Sequence, residues 1–150
     1  MRAPEVRAAA LAAVVIAADQ ATKALVRSSL ARGDEDPIFP AVTLVNTRNR
    51  GVAFGFFSDG GTLVAIVTGL ALAALLAFFV LNRRRRALAW LPTGLLLGGA
   101  LGNMIDRIRE DAVTDFIKLP VWPAFNLADV AITFGVLALV YVLEDPHRRR

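Results

Sequence analysis

Residues 62–81 form a run of 20 without one charged side chain. As a helix, at a rise of ~1.5 Å per residue, such a run is about as long as the hydrocarbon core of a bilayer is thick. Three more apolar stretches of similar length occupy residues 8–27, 87–105 and 127–143. The chain is 56% hydrophobic with a mean hydropathy of +0.55, more apolar surface than a 150-residue water-soluble core would use. These runs predict an all-α membrane protein: four transmembrane helices with a small extracytoplasmic β/loop platform, folded as a single integral membrane domain over residues 1–150.

The first run begins after Arg2 and Arg7 and invites a signal-peptide reading. It continues past Ala18 to Arg27, so a retained helix is expected. That helix must then satisfy Asp19 and Lys23, whose i, i+4 spacing lets them pair on one face. Residues 28–61 are long and partly apolar, which suits a platform on the membrane surface better than a linker. Within them Asp34 to Pro37 reads as a solvated turn, Val42 to Val45 and Val52 to Phe57 as short strands or as a strand and an interfacial amphipathic piece, and Asn46 to Gly51 as a tight turn. In the third run Gly94, Gly98 and Gly102 recur every four residues, a small-residue stripe on which another helix can pack closely. Asp106 extends that stripe, and Gly99, Asn103 and Arg107 form the adjacent row. The net charge of +4 sits mostly in Arg clusters beside the apolar runs, as membrane anchors do, so no nucleic-acid partner is expected.

Four spans make two hairpins, so one end of the bundle collects the polar residues. Asp19 and Lys23 end the first helix and Asn49 lies in the loop after it. Asn103, Asp106 and Arg107 end the third helix, Asp115 follows in the next loop, and Asn126 and Asp129 open the fourth. The termini and the Arg83 loop hold nine Lys/Arg and the polar side eight. The nine are packed into short segments beside the spans, where the positive-inside rule operates. Both termini are therefore expected in the cytoplasm and the polar cluster at the outer face.

Asp129 lies one turn inside an otherwise uncharged run, where a carboxylate is expensive. Asp115, fourteen residues earlier, can meet it if the connection folds back over the helix mouth. Two adjacent carboxylates resist ionising together and can share one proton. One then takes a proton from water while its protonated partner polarises a carbonyl, the chemistry of an aspartic protease. A Mg²⁺ site on the same pair is the alternative that oxygen ligands allow. A proton relay in a transporter is the non-enzyme alternative, although acids at one face fit it poorly. The chain has no cysteine, and its one histidine, His147, is in the tail. A Ser–Lys site would have only Ser28 or Ser29 beside Lys23, with no glycine-framed nucleophile.

Five segments in order carry a family resemblance: Asp19-Gln20-Ala21-Thr22-Lys23, Asn49-Arg50-Gly51-Val52-Ala53-Phe54, Gly98 through Arg107, Val113-Thr114-Asp115-Phe116, and Phe125-Asn126-Leu127-Ala128-Asp129. With them the chain resembles the lipoprotein signal peptidases (signal peptidase II) over almost its whole length. The resemblance implies a membrane aspartic endopeptidase of the bacterial inner membrane. Its substrate would be a diacylglyceryl-modified prolipoprotein, cut before the lipidated cysteine. Asp115 and Asp129 would be catalytic, supported by Asp19, Lys23, Asn49, Gly51, Asn103, Arg107 and Asn126. No cofactor and no metal are expected, membrane lipid is, and the enzyme is expected to act as a monomer.

Overall fold

Each of the four apolar runs is a helix, with bounds close to those expected. The computed structural model describes residues 3–50, 61–82 and 87–144. In it α1 is Pro4–Ser29, α2 Gly61–Asn82, α3 Trp90–Glu110 and α4 Leu127–Glu144. α1 starts on Pro4, whose missing N–H costs nothing in a first helical turn. α3 departs most from expectation: it begins three residues late and runs five residues past Ile105. It continues because its polar end is paired, as described below, and it stops at Asp111, a left-handed residue (φ 55°) whose N–H bonds the Arg107 carbonyl.

α3 is the central helix and packs extensively on both α1 and α4. The glycines make this possible. A methyl added at Gly98 would stand 2.6 Å from Val15 Cβ on α1, and one at Gly99 would stand 2.6 Å from the Ala128 carbonyl oxygen on α4. The two neighbours therefore approach along two adjacent rows, as the spacing predicts. Small residues fill the seams, while large apolar side chains such as Val14, Leu70, Leu81, Phe134 and Leu137 face outward and are mostly exposed. At the end near the N-terminus, Ala8, Phe79 and Ala89 close a small apolar cluster, with Arg7 over the Trp90 ring.

Among the described residues two helices, α1 and α4, are long and apolar enough to cross a membrane by length and composition, with mean hydropathies of 1.5 and 2.0. α3 carries its charges near one end.

The connections hold more strand than expected. A four-stranded antiparallel sheet runs in the order β1 (Glu35–Phe39), β2 (Val42–Asn49), β3 (Val113–Leu119), β4 (Trp122–Phe125). Three expectations are corrected here. Asp34 to Pro37 is not a turn, since Glu35–Phe39 pairs with β2, and the reversal falls at Ala41 (φ 67°). Asn46 to Asn49 is strand, not turn, because β3 offers partners in register: Thr47 to Asp115, Arg48 to Thr114 and Asn49 to Val113. Local turn propensity thus yields to long-range pairing. The second connection, read from the sequence as a plain loop, supplies half of the sheet. Pro37 and Pro123 fall in the edge strands β1 and β4, where a missing N–H is tolerated. The strand expected at Val52 to Phe57, and Gly51, lie outside the described residues.

Candidate active site

Asn126 and Asp129 open α4 as a reciprocal cap. The Asp129 N–H donates to Asn126 Oδ1 (3.0 Å), and the Asn126 N–H donates to Asp129 Oδ2 (3.2 Å). This is a capping box with an Asn/Asp pair in place of the usual Ser/Glu, satisfying donors that a helix start leaves orphaned. It also fixes the Asn126 amide, which is fully buried. Asn126 Nδ2 donates to Asp115 Oδ1 at 2.7 Å, so this one residue holds both carboxyl groups, Asp115 through its side chain and Asp129 through its backbone N–H.

Asp115 reaches this point on β3. Its other oxygen accepts from Asn49 Nδ2 (3.1 Å), a residue of β2 on the same face of the sheet. Burial pushes the Asp115 carboxyl up to about 6. The Asn49 and Asn126 donors and the Lys23 charge pull it back, and the charge of Asp129 adds to the rise. Asp129 accepts from Asn103 Nδ2 (2.9 Å) and is only half-buried. It lines a cleft of about 290 Å³ whose other walls are Leu119, Trp122, Phe125, Val130, Thr133 and Phe134.

Behind the two carboxyl groups lies a buried charge cluster. Lys23 Nζ lies 2.8 Å from Asp19 Oδ2 and 3.1 Å from Asp106 Oδ2, and donates to Asn103 Oδ1 at 2.9 Å. Three ammonium protons thus meet three acceptors, which is what a fully buried lysine requires. The two aspartates have second tasks. Asp19 Oδ1 accepts from the Ala128 N–H (3.0 Å), anchoring α1 to the start of α4. Asp106 Oδ2 accepts from the Thr114 N–H (3.0 Å), anchoring α3 to β3. Gln20 Nε2 donates to Asp106 Oδ1 (3.0 Å) and to the Gly102 carbonyl (3.1 Å). Asn103 relays between the two groups, since its oxygen accepts from Lys23 and Asn126 while its amide donates to Asp129.

The structure therefore brings together Asp19, Lys23, Asn49, Asn103, Asp115, Asn126 and Asp129 from α1, β2, α3, β3 and α4. Arg107 is half-buried on α3, one turn beyond Asn103, and its guanidinium makes none of these contacts. Gly51 lies outside the described residues. Sequence reasoning gave Gln20 and Thr114 no role of their own, and placed Asp106 with the gathered polar residues without giving it a partner. The spacing from Asp19 to Lys23 to one helical row of α3 could have pointed to Asp106. Nothing local marks Thr114, which contributes its backbone N–H.

The family model described as signal peptidase (SPase) II matches residues 11–143. The lipoprotein signal peptidase of Pelotomaculum thermopropionicum is 40% identical over 132 residues, 87% of each chain. That of Nitratidesulfovibrio vulgaris is 41% identical over 151 residues, covering 93% of this chain and 91% of its own. A solved structure of a bacterial membrane enzyme matches with a TM-score of 0.82 at 32% identity, over 93% of each chain. The matched length runs from the first third of α1 almost to the end of α4 and includes every residue of the cluster just described, so the chain belongs to the signal peptidase II family.

Proposed function

We propose that this chain is a membrane-embedded aspartic endopeptidase that removes the signal peptide of diacylglyceryl-modified prolipoproteins by cutting before the lipidated cysteine. The observation that carries the reading is Asn126, which bonds the Asp115 carboxyl with its side chain and the Asp129 carboxyl with its backbone N–H, beside a cleft with an apolar wall that Asp129 lines. Asp115, the more buried of the two, keeps the shared proton and hydrogen-bonds the scissile carbonyl oxygen. Asp129, facing the cleft, takes a proton from the attacking water. The tetrahedral intermediate then collapses as the proton held by Asp115 passes to the leaving nitrogen. Asn49, Asn103 and Asn126 orient the carboxyl groups, and Asp19, Lys23 and Asp106 hold the elements that carry them. No step calls for a metal or a cofactor.

All four helices cross the bacterial inner membrane as one domain, with both termini in the cytoplasm and the dyad near the outer face. The outward apolar side chains of α1, α2 and α4 support that placement, as does the gathering of carboxyl groups at one end of the bundle. The same gathering disfavours a transport path, which would need acids reachable from both sides. The chain acts as a monomer. Reporters fused after Arg86 or Arg150 should read as cytoplasmic and one inserted near Asp34 as external; a cytoplasmic signal at Asp34 would overturn the orientation.

Substrate lipidation is the functional test. Acyl chains contribute roughly 0.8 kcal/mol per buried CH₂ and would hold the scissile bond at the boundary where the dyad lies. The purified protein should cut a diacylated prolipoprotein far faster than the unlipidated precursor, with or without chelator. Equal rates on both forms would remove the substrate assignment. Activity lost in chelator and restored by Mg²⁺ would hand the two carboxylates to a metal.

A further inference from the structure

The sheet has a second face. Along β2, Thr47 and Asn49 turn toward Asp115, so Arg48 alternates to the other side, and Arg50, the residue after the strand, lines the same pocket as Arg48. There Arg48 pairs in register with Thr114, whose hydroxyl accepts from Arg27 Nη1 at 3.1 Å. Glu110, the last residue of α3, is ion-paired to Arg48 and, at 3.6 Å, to Arg27. Beside these pairs opens a pocket of about 250 Å³ lined by Arg32, Arg48, Arg50, Glu110 and Ala112.

Arg32 is held at the pocket by a built turn. The Asn46 side-chain amide donates to the Leu30 carbonyl (2.8 Å), the Gly33 N–H donates to the Asn46 carbonyl (2.9 Å), and the Asn46 N–H donates to the Asp34 carbonyl (3.2 Å). Gly33 adopts φ 91°, which a side chain would strain. Glu110 spends its two oxygens on Arg27 and Arg48. Among the described residues neither Arg32 nor Arg50 is ion-paired. Among the described residues the pocket therefore presents two guanidinium groups that no ion pair neutralises, its one lining carboxylate, Glu110, being paired to Arg27 and Arg48, and the guanidinium fork matches the oxygens of a phosphate.

Location selects the ligand. The pocket lies just past the ends of α1 and α3, which is headgroup level if those helices span as proposed above. It occupies the sheet face turned away from the dyad, out of reach of a peptide bound there. We propose that it seats the phosphodiester of an anionic phospholipid of the outer leaflet. Arg32 and Arg50 grip the phosphate oxygens, and Glu110 braces Arg48 and Arg27 around it. A bound lipid would fix the sheet, and with it Asp115 on the opposite face, at a set depth in the interface.

Native mass spectrometry of the purified chain, released from nanodiscs of phosphatidylglycerol or phosphatidylcholine, tests this. The parent should retain phosphatidylglycerol about tenfold better, the scale of one charge-assisted contact. Arg32→Gln with Arg50→Gln should abolish the preference while the unfolding temperature in lipid-free detergent stays unchanged. Arg32→Lys, which keeps the charge and loses the fork, should retain part of it. Insertion into both nanodiscs without a preference, or a preference unchanged in the double variant, overturns the site. Failure to insert into either overturns the span placement and the site with it. Inorganic phosphate or glycerol phosphate displacing the lipid at equal concentration would make the pocket a soluble-phosphate site and overturn the lipid assignment.

Discussion

Asp115→Asn and Asp129→Asn should each lower prolipoprotein cleavage by roughly 10³-fold or more, with the protein still inserted. Each substitution keeps the shape of the side chain but removes the group that must take or hold the proton. The double variant should be little worse than either single one, because the two carboxyl groups act as a unit. The pH–rate profile should be bell-shaped and belong to the pair. Asp115 adds a signature that an exposed carboxyl would not give. Its carboxyl is raised from 3.8 to about 6, chiefly by burial, so between those values the folded chain binds more protons there than the unfolded chain. This group's contribution to stability is therefore full below pH 3.8 and declines as pH rises to about 6. Two pH units correspond to about 3 kcal/mol. Relative to the parent, Asp115→Asn should gain thermal stability between pH 4 and pH 7, which paired unfolding curves in detergent would read. Near-normal turnover in either single variant would end the dyad assignment, and a parallel pH dependence of the two unfolding curves would refute the buried proton.

Lys23→Met should be the most destabilising single change outside the dyad. It removes the one cation that Asp19 and Asp106 share and leaves two buried carboxyl groups facing each other. Breaking a buried pair in this way costs roughly 3–5 kcal/mol. The loss would spread, because Asp19 anchors the start of α4 and Asp106 anchors β3. Asn103 would lose a donor as well, so cleavage should fall together with unfolding temperature. Adding Asp19→Asn and Asp106→Asn to Lys23→Met should restore much of the stability, since a neutral cluster avoids the unpaired charge. A Lys23→Met protein that unfolds at the parent's temperature would show that the cluster carries no structural weight.

The two predictions draw on different kinds of information. Asp115, Asp129 and the pairing of Asp19 with Lys23 were legible in the chain itself. A carboxylate inside an uncharged run is conspicuous because hydrocarbon penalises it, and i, i+4 spacing fixes which neighbours can answer it. Helix positions were legible for the same reason: run length and the absence of charge are one-dimensional properties. So was the four-residue glycine spacing of α3, which a helix turns into a face. The sheet was not. Its central pairing joins Thr47 to Asp115 across 68 residues, and nothing near Asn46 to Asn49 outweighs a turn reading until β3 lies alongside. The third acceptor of Lys23, the bond from the Asn126 side chain to Asp115 and the arginine pocket behind β2 likewise depend on which chain segments meet. Sequence determined the apolar lengths and the costly charges, because each is set by local composition. Tertiary structure alone decided how those charges were satisfied, because a buried charge takes its partners from whatever packing brings within about 3 Å of it.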